Sequence, residues 1–211
     1  MENNLIYTTP QNFMSYMIAN PGKWKDYVTK CAFTSKTSFQ QEVPWISLPA
    51  IEAIDKSVKP GMKVLEFGGG GSTIYFAKKG LDVTTIESDL DWKTNIENQI
   101  NSKGLKNVKI LYRHFNVQPE NTFRKSEYIV ALPGSTFDVI LIDGPEIADY
   151  KARPVCFEWA EQNIKPGGMI IVDDAWRYTQ LLTRNHAKSV KEFSGIGPGR
   201  KGMTKTDIYF Y

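Results

Sequence analysis

The chain has 211 residues, 41% of them hydrophobic and 12% aromatic, enough to bury one substantial core. Its 26 Lys and Arg against 23 Asp and Glu give a formal charge of +3, spread along the chain without a basic arm, so no nucleic-acid partner is expected. Cys31 and Cys156 lie far apart, which argues against a disulfide framework or a zinc site, and there is neither a signal-like start nor a run of about eighteen apolar residues; a cytoplasmic protein with no membrane association is the expectation.

In chain order, residues 11–60 carry three helical pieces, Phe13–Ile18, Trp24–Cys31 and Pro49–Val58, broken by Pro21-Gly22 and Pro44. Residues 1–58 read as a helical lead or cap, too small for a domain of its own, and residues 59–211 as the main domain. Beyond Pro60-Gly61, short β-branched runs alternate with amphipathic segments. The runs are Lys63–Phe67, Asp82–Glu87, Val108–Arg113, Phe137–Asp143 and Gly168–Asp173, with helices over Ser72–Lys79, Leu90–Lys103 and Arg153–Ile164. This pattern predicts right-handed βαβ units and a doubly wound α/β fold with a mainly parallel sheet. The tail predicts a helix near Tyr178–Ala187, then an antiparallel pair, Val190–Phe193 and Asp207–Tyr211, joined by the Gly-rich stretch Gly195–Gly202. Residues Gln118–Ser135 show no clear periodicity and read as a lid or an insertion.

The strongest chemical signal follows the first strand. Gly68, Gly69, Gly70 and Gly71 with Ser72 occupy the strand-to-helix turn, at the edge where doubly wound folds bind ligands. A turn chosen only for positive φ needs one or two glycines, whereas four let a ligand approach the backbone. The dinucleotide fingerprint G-x-G-x-x-G fails in both frames, because Gly68 and Gly70 lead to Thr73, and Gly69 and Gly71 lead to Ile74. Glu66, at the same strand end, would repel a pyrophosphate but attract the ammonium and sulfonium of S-adenosylmethionine. Glu87 closes the second strand about twenty residues on, where an acid binds ribose hydroxyls.

With these residues in view, the sequence resembles the class I S-adenosylmethionine-dependent methyltransferases over about Lys59–Asp174. Glu66 with Gly68, Gly70 and Ser72 looks like that family's first motif and Glu87 like its second. Residues Phe137–Gly144 look like its fourth-strand motif and Ile164–Asp174 like its fifth-strand segment. The resemblance implies a seven-stranded, Rossmann-like sheet with an antiparallel last strand, and S-adenosylmethionine as cofactor with S-adenosylhomocysteine as product. Phe115 and Asn116, after the third strand, are candidates to flank the adenine on position alone.

Asp143 and the pair Asp173-Asp174 would meet at neighbouring strand ends, where three unpaired anions call for a divalent cation. This partly resembles the magnesium-dependent catechol and sugar O-methyltransferases, but Glu146 stands where catechol-type enzymes have a lysine, and Asp-Asp where they have Asp-Asn. Asp143, Asp173 and Asp174 are therefore candidate magnesium ligands, Asp143 also a candidate cofactor contact, and Asp143 and Glu146 the candidate catalytic residues. The alternative has these acids touching the cofactor or capping helices. No Asn- or Asp-Pro-Pro-aromatic run follows the fourth strand, and neither cysteine follows a proline, which argues against amino-directed nucleic-acid and cytosine-carbon methylation. His114 is a weaker candidate base. Trp45, Trp176 and Tyr178 are candidate walls of an acceptor pocket, with ordinary packing as the alternative, and Arg200-Lys201 reads as a solvated turn. The reading is O-methylation of a small hydroxylated molecule, with a homodimer left open. A nicotinamide-dependent oxidoreductase and a non-catalytic cofactor-binding module are the alternatives.

Overall fold

In the computed structural model, which describes residues 8–115, 120–130, 132, 134–144, 146 and 151–211, the β-branched runs join into one seven-stranded sheet. Its strands are β1 (Lys63–Phe67), β2 (Asp82–Glu87), β3 (Val108–Tyr112), β4 (Phe137–Ile142), β5 (Ile164–Val172), β6 (Ser189–Ile196) and β7 (Met203–Phe210). The order across the sheet is β3-β2-β1-β4-β5-β7-β6, with β1 to β5 parallel and β7 inserted antiparallel between β5 and β6. The chain winds outward from β1 to β2 and β3, then returns to the far side of β1 with β4. Such a reversal opens a crevice at the carboxyl ends of the two central strands.

The central strands are apolar throughout because both faces are covered: Ile140, Leu141, Ile142, Ile170, Ile171 and Val172 are all 0% exposed. Alternate residues of each strand feed two cores. On one face, Leu65, Phe67, Ile140 and Ile142 pack with α6 (Glu120–Phe123), α7 (Glu127–Val130) and α8 (Ala152–Asn163) through Phe123, Tyr128, Val155 and Phe157. On the other, Val64, Val139 and Leu141 pack with residues of α1 (Pro10–Ala19), α3 (Leu48–Ser57) and α4 (Gly71–Lys78), so the lead shares a core with the sheet. Side-chain caps start the lead helices: Thr9 for α1, a Thr37–Gln40 capping box for α2 (Ser38–Gln41), and Ser47 for α3. Asp89 likewise caps α5 (Leu90–Ser102), which packs beside β3.

Three elements differ from expectation. The helix over Trp24–Cys31 is a single α-turn, Trp24–Asp26, that widens into a π-turn, Tyr27–Ala32. The fifth strand, expected from Gly168, begins at Ile164 directly after the helix, with an irregular start where the register shifts between Phe137 and Val139 of β4. The tail helix over Tyr178–Ala187 does not form; two 3₁₀ turns, Ala175–Arg177 and Thr179–Leu182, take its place. Tertiary anchors override the weak local helix preference of this segment. Tyr178 is drawn into the core at 1% exposure, and the Asn185 side chain donates to the Leu181 and Leu182 carbonyls and ends the turn.

The lead sits on the glycine turn after β1 through α2. A Cβ at Gly71 would collide with the Ser38 carbonyl oxygen and lie 2.6 Å from that of Val43, whereas one at Gly70 would rest 3.7 Å from Ser38 Oγ. Gly71→Ala should therefore cost about 1–3 kcal/mol in urea unfolding. Gly70→Ala should stay within about 1 kcal/mol; equal losses would mean that α2 yields freely.

Candidate cofactor and acceptor site

The site begins where β1 ends. Gly68 adopts φ +84°, and a Cβ there would lie 2.6 Å from Gly144 Cα, so the ends of β1 and β4 approach too closely for any side chain. The turn is then wired by its backbone. The Gly69 amide donates to Glu87 Oε2 at 3.3 Å, its carbonyl accepts from the Trp92 indole at 2.8 Å, and the Gly70 amide donates to Thr73 Oγ1 at 3.1 Å. Glu87 Oε1 accepts from the Ser88 and Asp89 amides at 2.7 and 2.9 Å, which fixes the carboxylate at the crevice edge of β2. Glu87, the glycine turn and Asp143 thus stand on three adjacent strand ends. A nucleoside cofactor fits this set at Gly68 and Gly69, which stay half-exposed while Gly70 and Gly71 are buried, and at Glu87, a clamped carboxylate with lone pairs left for ribose hydroxyls.

Glu66 does not face the crevice, and the charge argument built on it is corrected. It is 0% exposed beneath the turn, where Oε2 accepts from Thr73 and Thr85 hydroxyls, both at 2.7 Å. Its other oxygen is covered without a partner. Burial pushes the Glu66 carboxyl up to about 7, against the lowering effect of the hydroxyls of Ser72, Thr73 and Thr85. Ser72 is itself buried.

At the ends of β4 and β5 the three acids are not unpaired. Arg153, on the apolar face of α8, donates to Asp143 Oδ1 at 3.2 Å and to the Asp173 carbonyl at 2.6 Å. Arg200 donates to Asp174 Oδ1 at 2.8 Å and Asp173 Oδ2 at 3.1 Å, and Arg177 lies 3.6 Å from Asp174 Oδ2. Asp173 is wholly buried, and burial together with Asp143 and Asp174 lifts its carboxyl to about 8. For Asp174, burial is outweighed by Arg200, Arg153 and Arg177, which hold it below the usual range. These residues do not fit a magnesium ion: guanidinium groups already occupy the oxygens it would need, and no group of three or more His, Cys, Asp or Glu among the described residues is arranged for a metal. The premise of the magnesium expectation, three uncompensated anions, is corrected accordingly.

The remaining candidates divide. Glu146 accepts from the Ala152 amide at 2.7 Å and from the Tyr178 hydroxyl, so its carboxylate starts α8 and anchors the tail. Tyr178 is core and not pocket wall. Trp45 is half-buried with its ring against Gly199, while Trp176 is half-buried under the Arg177 guanidinium, 4.7 Å from the ring centroid. Phe115 packs on Phe123 and Tyr128 at centroid distances of 4.7 and 4.9 Å, and Asn116 lies outside the described residues. His114 is exposed, and both cysteines are buried and free. Sequence reasoning missed Arg153, Trp92 and Tyr128. Arg153 had a signal, a lone arginine on a face otherwise built of Cys156, Phe157 and Ala160. Tyr128 had none: its hydroxyl ends against Gly144, covered and without a partner.

Several solved structures with this architecture are methyltransferases. A 16S rRNA N2 G1207 methyltransferase from T. thermophilus, in complex with AdoMet and guanosine, aligns with a TM-score of 0.61 at 17% identity over 84% of this chain. This chain spans only 44% of that protein's length. An O-methyltransferase from Bacillus cereus, in complex with SAH, aligns with a TM-score of 0.56 at 18% identity over 94% of this chain and 99% of its own. A methyltransferase from Pyrococcus furiosus gives 0.55 at 15% identity, with 93% and 96% covered. No protein-family model matches the sequence, and no curated protein does. The chain has the class I methyltransferase fold.

Because the folded pKa of Glu66 lies above its unfolded value, its stabilising contribution is complete below about pH 4.5 and is lost as pH rises toward 7. Glu66→Gln should therefore gain on the wild type by on the order of 2 kcal/mol between pH 5 and pH 8 in urea unfolding. An unchanged difference across that range would show that the carboxylate is charged throughout.

Proposed function

We propose that this chain is an S-adenosylmethionine-dependent methyltransferase acting on a hydroxyl of a small molecule. The observation that carries the reading is the junction of β2, β1 and β4, where Glu87 is bonded to the glycine turn and Asp143 stands on the next strand end. The bound cofactor supplies an electrophilic methyl group on a sulfonium, with S-adenosylhomocysteine as the leaving product. The chain's part is orientation. Glu87 accepts the ribose hydroxyls, the turn admits the cofactor against the backbone, and Asp143, with 29% of its side chain exposed, faces the acceptor side. Since Arg153 already bonds one Asp143 oxygen, Asp143 orients an acceptor hydroxyl more readily than it takes its proton, which passes to solvent water as the O–CH3 bond forms and the S–CH3 bond breaks. Alignment of the acceptor with the methyl carbon then supplies most of the rate, with effective molarities of about 10⁵ M or higher in favourable cases.

A small-molecule acceptor is favoured by the scattered charge of the chain and by the likeness in fold to the Bacillus cereus O-methyltransferase. Among the described residues no helix is long and apolar enough to cross a membrane, and the two free buried thiols accord with the cytoplasm.

Calorimetric titration with S-adenosylhomocysteine tests the reading, with NAD as the control. Saturable S-adenosylhomocysteine binding is expected, with no heat from NAD. Glu87→Ala should weaken the affinity roughly 10- to 150-fold, the loss of a charged hydrogen bond. Binding of NAD alone, or of neither ligand, would overturn it.

A further inference from the structure

The turn between β6 and β7 read as solvent-facing in the sequence, yet it carries a residue into the acceptor side of the site. Residues 197–202 fold back toward the end of β5, held by the Gly199 amide, which donates to the Lys30 carbonyl at 3.1 Å, and by the Trp45 ring against Gly199. Arg200 leaves this turn and sets one guanidinium across both acids of the pair: Nη1 on Asp174 Oδ1 at 2.8 Å, Nη2 on Asp173 Oδ2 at 3.1 Å and on the Trp45 carbonyl at 3.5 Å. β7 completes the shell, with Thr204 Oγ1 donating to Asp174 Oδ1 at 3.1 Å and Thr206 Oγ1 to Asp173 Oδ1 at 3.2 Å. The Asp173 side chain is 0% exposed and that of Asp174 9%, so Asp174 cannot stay ionised in the interior without a cation held against it.

We infer that Arg200 is the resident cation of the acceptor side, taking the place of a divalent metal on Asp173 and Asp174 and making the site independent of metal. This rests on the methyltransferase reading of the crevice, and it goes beyond it by assigning the charge that organises the acceptor side to a residue of the chain itself. A guanidinium suits the task because its planar donors span two carboxylates at once, which a lysine ammonium does not do in a fixed geometry. The fixed hairpin and Trp45 deliver it preformed, with a third of the Arg200 side chain, 32%, left exposed toward solvent.

Titration of the full-length protein with MnCl₂, with and without saturating S-adenosylhomocysteine, tests this. The wild type should give no saturable heat up to millimolar Mn²⁺, and its S-adenosylhomocysteine affinity should agree within twofold in magnesium and in a chelator. Arg200→Ala should lower the melting temperature, gain saturable Mn²⁺ binding, and recover part of the lost stability when Mn²⁺ is added. If Arg200→Ala does not fold, Arg200→Lys and the wild-type titration decide: the Lys variant should fold, melt lower and still ignore Mn²⁺. Saturable Mn²⁺ binding by the wild type that Asp174→Asn abolishes would overturn the inference, as would a folded Arg200→Ala indifferent to Mn²⁺. Absence of S-adenosylhomocysteine binding in the same series would strike the methyltransferase reading alone, because the Mn²⁺ arms read Arg200 directly.

Discussion

One guanidinium joins the strand ends on which the site is built. Arg153, 8% exposed, donates to the Gly144 carbonyl from Nε at 3.3 Å and Nη2 at 3.2 Å, to the Asp173 carbonyl and to Asp143, and so ties β4, β5 and the first turn of α8 into one unit. A buried arginine left uncompensated would cost several kcal/mol, so the acids beside it serve the fold before they serve chemistry. Arg200 extends the network from the far edge of the sheet. Asp174 shows how firmly the region is held: it sits at φ 49°, a left-handed conformation that non-glycine residues adopt at a cost of order 1 kcal/mol or more, and bonds to Arg200 and Thr204 keep it there.

A second constraint is steric. Gly68 and Gly144 let β1 and β4 end in backbone contact, which brings the cofactor-side turn and Asp143 together. The turn is then fixed from three sides: Glu87 and Trp92 through Gly69, Thr73 and Glu66 from below, and α2 of the lead from above. Phe39 of α2 packs against Trp92 at a centroid distance of 4.9 Å, a second contact between the lead and the residues that hold the turn. A preformed turn of this kind spends little ordering entropy when a ligand arrives.

The fold alone does not choose an acceptor, since the same architecture appears in an rRNA methyltransferase and in an O-methyltransferase. Trp45, Trp176, Arg177 and Arg200 gather about the Asp173-Asp174 pair, Arg200 and Arg177 by their charge, Trp45 through its carbonyl and Trp176 under the Arg177 guanidinium. They come from the lead, the tail turns and the last hairpin, none of which belongs to the cofactor half of the sheet. The surroundings of the Asp pair are thus built from stretches of chain outside the βαβ units.

Local sequence by itself determined the alternating strands and helices, the glycine turn after β1 and the acid at the end of β2, because period, turn chemistry and strand-end position are properties of a few neighbouring residues. It also carried the antiparallel final pair. What only the tertiary structure decided depends on groups far apart in the chain. Glu66 lies under the turn because Thr73 and Thr85 reach it there. Tyr178 abandons a helix for Glu146, 32 residues away. Asp143, Asp173 and Asp174 read as three bare anions because their counter-charges arrive from α8 and from the β6–β7 hairpin. A local pattern records which carboxylates share a strand edge, but not which distant cation the fold brings to neutralise them.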